Sequence, residues 1–146
     1  MTTVHLTVGI AVCALFLAAG LWGAWRWWRV RPSAAFWKLL RAAQVALLAQ
    51  VLLGGILLLG RHTPGRLHVL YGLLPVAVSF IAEQLRIGAA ESVLAARGHT
   101  SAAAVGELDE RDQRSVVLAV VRREIGVMTL AALVCFGLVI RAAFTS

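Results

Sequence analysis

The sequence has no asparagine, one lysine, seven acidic residues and two cysteines among 146 positions. Arginine supplies the other basic residues, and this Ala/Arg/Gly-rich bias is the mark of a GC-rich bacterial genome rather than of a mechanism. Cys13 and Cys135 each lie inside an apolar run, with no CxxC and no zinc-like Cys/His spacing, so a zinc fold or a dithiol redox motif has no residues to build it. No GxGxxG and no P-loop pattern occurs, which removes the common nucleotide-binding signatures. No enzyme motif of any other kind stands out. The most informative absence is charge: none falls between Val4 and Ala24.

Sixty per cent of the residues are hydrophobic. A soluble domain of this size has too much surface for its volume to hide that much apolar side chain. A lipid bilayer must therefore act as solvent for much of the chain. About 20 apolar residues cross a hydrocarbon core of about 30 Å. The sequence offers four such spans, at about 4–24, 39–60, 67–85 and 125–143. The first resembles a secretion signal in its apolarity. It lacks a basic region before it and a small-residue cleavage site after it, so it reads as a retained helix. The fold class expected is all-α, an integral membrane four-helix bundle in a single domain.

Between the spans the chain is polar. Trp25, Trp27 and Trp28, interleaved with Arg26 and Arg29, suit the headgroup level, where an apolar ring with one N–H donor is most at home. Pro32 and Ser33 make the first turn, and Arg61–Arg66 the second. The third helix is expected to continue to about Ala96, with Gly98 ending it. The small residues from Gly98 to Gly106 read as a loose loop. The mixed charges from Glu107 to Arg114 read as the solvated first turns of a helix that enters the membrane near Ile125.

Basic residues set the orientation. Five follow span one (Arg26, Arg29, Arg31, Lys38, Arg41) and six follow span three (Arg86, Arg97, Arg111, Arg114, Arg122, Arg123), against three on the other side (Arg61, Arg66, Arg141). Loops 25–41 and 86–124 are thus expected in the cytoplasm, with both termini outside, in a plasma membrane. The net charge of +7 is explained by these loops, so nucleic acid is not an expected partner. The lipid bilayer is.

Three of the four histidines fall on the expected outer side: His5 opens span one, His62 follows span two and His68 opens span three. Imidazoles on converging helix ends can ligate haem iron or a transition metal. They can equally rest unpaired at the interface. In span three, His68, Tyr71, Gly72, Pro75, Ser79, Glu83 and Arg86 recur at steps of three and four, which places them on one helix face. Polar residues within a span face the bundle interior, because lipid cannot satisfy them. Gly72 would admit a neighbour or a flat cofactor, Pro75 should kink the helix, and Glu83 can pair with Arg86. In span two, Gln50 and Gly54 share a face, and a glutamine at that depth seeks an interhelical partner. Cys13 and Cys135 sit at similar expected depth and could pair, although buried cysteines usually serve as small hydrophobes.

The run Gln50-Val51-Leu52-Leu53-Gly54-Gly55, followed after an outer loop by Leu67-His68-Val69-Leu70-Tyr71-Gly72, resembles the repeated half of haem A synthase. In that family a Q-x-x-L-G-G helix precedes an outer loop and a helix that opens with histidine. The resemblance covers about 25 residues. It implies a four-helix bundle holding haem b near its outer face, with His68 as an axial ligand. The family's half-unit has a second histidine on its fourth helix, and span four here has none. The second ligand would then be His5 or His62, or come from another subunit of a homo-oligomer. Tyr71 and Gly72 would line the pocket.

Three functional readings follow. The first is a small haem-associated membrane protein linked to respiration or cofactor handling. The second is a non-catalytic accessory subunit or assembly factor of a larger respiratory or other membrane complex, with Trp25–Trp28 and Glu107–Arg114 as contact surfaces. The third, a small transporter with Glu83 as coupling carboxylate, has the least support, since no inverted repeat is visible.

Overall fold

Within lipid, a segment that must satisfy its own backbone N–H and C=O groups has the helix as its simplest solution. The computed structural model describes residues 2–60, 64–99 and 101–145, and among these every regular element is helical. Helices α1 (Thr2–Arg29), α2 (Ala34–Leu59), α3 (Arg66–Ile87) and α6 (Glu110–Ala143) are each long and apolar enough to cross a membrane. Two short helices, α4 (Ala89–Ala96) and α5 (Ala102–Gly106), lie between the last two.

Helix α1 packs along both α2 and α6, and α3 packs along α6, whereas α2 and α3 touch over little of their length. The four long helices therefore form a bundle with one loose side. Its core joins Val12, Phe16 and Ala19 of α1, Phe36, Leu40 and Leu47 of α2, and Ile125, Met128 and Ala132 of α6. Helices of equal apolarity to lipid gain by close packing rather than by hydrophobicity, so small residues mark their contacts. Gly20 and Gly23 of α1 and Gly126 of α6 do this: a Cβ on Gly126 would lie 2.9 Å from Trp27 Nε1, and one on Gly20 would meet Leu133.

The ends of the helices follow local chemistry. At the end of α1 the Val30 N–H donates to the Trp27 carbonyl and the Arg31 N–H to the Arg26 carbonyl, a Schellman closure that requires a left-handed residue. Val30 takes it, with φ 47°. A β-branched residue there is strained. Arg26 donates to the Pro32 carbonyl at 2.7 Å and Trp22 Nε1 to Ser33 Oγ at 3.1 Å, which hold the turn against that strain. Ser33 then caps α2 by accepting from the Phe36 N–H. Val30→Gly is expected to raise thermal stability by about 0.5–1 kcal/mol, since relief of about 1–2 kcal/mol of left-handed strain is partly offset by the freer unfolded chain. Thermal denaturation in detergent checks this; an unchanged midpoint would mean that the turn is not strained.

Two sequence expectations need correction. The third helix does not run unbroken to Ala96. Gly88 ends α3 and starts α4, its N–H donating to the Gln84 carbonyl and its carbonyl accepting from Ser92. Gly88 stands at φ −76°, ψ −2°, away from the helical ψ, and the helix breaks there. The region from Gly98 to Gly106 is not wholly loop either. Ser101 accepts from the Ala104 N–H and caps α5. Gly98 does end α4, at φ 75°, and Asp109 caps α6 through the Asp112 N–H at 2.8 Å.

Candidate functional site

The first turns of α1 and α3 meet at one end of the bundle. His5 and His68 stand there with ring centroids 6.1 Å apart and planes inclined by 53°. The two come from helices that are not sequence neighbours, so the bundle itself creates the pair.

His68 is held by the last turn of α6. Its Nδ1 lies 3.0 Å from the Ala142 carbonyl oxygen. A carbonyl can only accept, so Nδ1 carries the proton and Nε2 is left as the free nitrogen of the neutral ring. The final carbonyls of any helix lack intrahelical partners, which makes them ready acceptors. Ala142 also accepts from the Thr145 N–H and hydroxyl.

His5 is held by α2. Its Nε2 lies 3.2 Å from Gln50 Nε2. Glycine makes room for this pairing twice. A Cβ on Gly54 would sit 3.3 Å from His5 Cε1, and one on Gly9 would sit 3.0 Å from Gln50 Nε2. His5 Nδ1 and Gln50 Oε1 are both buried with no hydrogen-bond partner. Which amide atom faces the ring is an assignment from the hydrogen-bond network. With Gln50 Oε1 turned to accept from His5 Nε2–H, the glutamine oxygen is satisfied and His5 Nδ1 becomes a bare lone pair. A buried nitrogen left so costs about 1–3 kcal/mol, and calls for a ligand or another explanation.

Of the other expected site residues, Tyr71 lies one turn along α3 with the Arg141 guanidinium 5.9 Å from its ring centroid. The space beside Gly72 is open, for an added Cβ would meet no atom within 4 Å. His62 lies outside the described residues. Cys13 and Cys135 are free thiols. Cys135 is buried, 3.5 Å from the Pro75 carbonyl oxygen and 3.6 Å from Ser79 Oγ, so the Ser79 face of α3 is satisfied by α6.

The opposite end of α3 carries a second polar cluster. Glu83 accepts from both terminal nitrogens of Arg41, from Gln44 Nε2 at 3.1 Å and from Arg86 Nε at 2.9 Å. The Arg86 guanidinium also stands 5.4 Å from the Trp37 ring centroid. The sequence pointed to the Glu83–Arg86 pair but not to Arg41 and Gln44, whose three-residue spacing on α2 was the available signal.

No family of known proteins, no curated protein and no solved structure matches the chain. Among the described residues no group of three or more His, Cys, Asp or Glu side chains could hold a metal ion.

Proposed function

We propose that the chain is a small haem-binding protein of the plasma membrane, linked to respiration or cofactor handling. In this reading the termini and the Arg61–Arg66 loop lie outside and the basic ends of the helices face the cytoplasm. The observation that carries the proposal is the His5–His68 pair, with ring centroids 6.1 Å apart. Rings at that spacing could each give a nitrogen to one metal centre held between them. His5 and His68 would hold the haem, whose iron takes histidine nitrogens as ligands.

The surroundings fit the same role. Ligating histidines commonly give their second ring N–H to a carbonyl or another acceptor, which fixes ring and tautomer. His68 does this with Ala142, leaving Nε2 to bind. Gln50 is placed to do it for His5, leaving Nδ1. No neighbouring atom lies within 4 Å of where a Cβ on Gly72 or Gly55 would sit, so neither helix face is filled there. When bound, haem would supply one-electron redox chemistry. The chain's own residues would hold the ligating nitrogens and set their tautomers. The resemblance of Gln50–Gly55 and Leu67–Gly72 to the haem A synthase half-unit supports the same assignment.

Protein purified in mild detergent from haem-supplied cells is expected to carry a Soret band with a sharp reduced α band. His68→Ala should lose both. A flat visible spectrum would contradict the reading and favour the accessory-subunit one, with co-purification of a larger complex as the next measurement.

A further inference from the structure

The loose side of the bundle is itself a feature. Between α2 and α3 lies a lateral cavity of about 240 Å³, polar at one end and apolar below. Arg41, Gln44 and Glu83 form the polar end; Leu47, Leu48, Val76 and Phe80 line the rest together with Ser79, whose hydroxyl is turned to Cys135. Leu48 and Phe80 are more than half exposed, so the cavity opens sideways, toward where acyl chains would lie.

The polar end is short of donors' partners, not of donors. Glu83 accepts four hydrogen bonds through its two oxygens, which fills its lone-pair sites. Arg86 has five N–H donors and commits the one on Nε to Glu83. Exposed Lys38 lies one helical turn from Arg41. Two guanidinium groups, Arg41 and Arg86, thus share one carboxylate that is already saturated, with the exposed Lys38 nearby on α2. The next group to bind here must be an acceptor with negative charge, and what hangs from it must be apolar.

We propose that this groove binds an anionic phospholipid. Its phosphate sits on the Arg41–Arg86 rim, and one acyl chain lies along Leu48, Val76 and Phe80. Guanidinium forks bind phosphate in bidentate pairs, and the tail replaces the helix–helix contact that α2 and α3 lack. The site is independent of the histidine pair.

The test uses the full chain in detergent micelles doped with phosphatidylglycerol or phosphatidylcholine, with retained lipid counted by native mass spectrometry. Phosphatidylglycerol should be retained in preference. Arg86→Gln should lower its retention about five-fold, the worth of one basic side chain at an anionic headgroup. Leu48→Trp should lower it as well, by filling the groove with every charge intact. Lys38→Gln, on an exposed side chain, repeats the charge test should Arg86→Gln aggregate. Equal retention of the two lipids overturns the proposal. Retention unchanged by Leu48→Trp also overturns it, as does release of the lipid by inorganic phosphate alone, because either outcome describes a headgroup or free-anion site without a tail groove.

Discussion

Gly23→Val is expected to cost at least about 3 kcal/mol and to leave little well-folded protein. Gly23 lies where α1, α2 and α6 meet. A Cβ there would sit 2.5 Å from Phe36 Cε2 and also collide with Thr129 Oγ1. Neither neighbour has room to retreat, since Phe36 is 0% and Thr129 1% exposed. Overpacking by extra methylenes costs about 1–3 kcal/mol, and valine adds three carbons at a crossing with no space for one. Stability on that scale is a large part of what a small domain has. Gly137→Ala is the matched control, because a Cβ there meets nothing within 4 Å. Thermal denaturation and gel filtration of the two variants should separate them sharply. Equal behaviour would mean that α1 and α6 do not cross as closely as described.

Glu83→Ala should be the next most damaging change, at about 2 kcal/mol. Exposed ion pairs contribute about 0–1 kcal/mol, while breaking a buried pair costs about 3–5 kcal/mol. The Glu83 side chain is 21% exposed, with its partners Arg41 at 48% and Arg86 at 29%, which places the cluster between those limits. Its removal strands two guanidinium groups where α2 and α3 are tied by charge. A double-mutant cycle with Arg41→Ala isolates the pair, and a coupling of about 1 kcal/mol is expected. Additive losses would show that the two residues act separately.

The spans were legible because each depends on composition over about 20 residues, a signal that no single position can spoil. The helix breaks were less so. Gly88 sits among good helix formers, and α5 is only five residues long and ends in glycine, too short to show a helical period. The histidine site was legible in part. His5 and His68 stand at helix starts on the same side, and the bundle brings their rings together. Gln50 was recognisable as a group seeking an interhelical partner, but its spacing could not say that the partner is His5. The Ala142 carbonyl could not be read at all, for a backbone acceptor leaves no trace in residue identity. Arg41 and Glu83 were invisible as a pair for a related reason: 42 positions separate them, and only the antiparallel return of α3 beside α2 closes that distance.

The most direct test of a two-imidazole haem site is titration of haemin into the protein purified without haem, followed by absorption. The expected result is a saturable Soret shift at one haem per chain with a low-spin spectrum. His68→Ala should abolish it, His5→Ala should convert it to weak or high-spin binding, and Gln50→Leu should weaken it less. No Soret shift at all, or a shift that both histidine variants leave unchanged, would contradict the assignment.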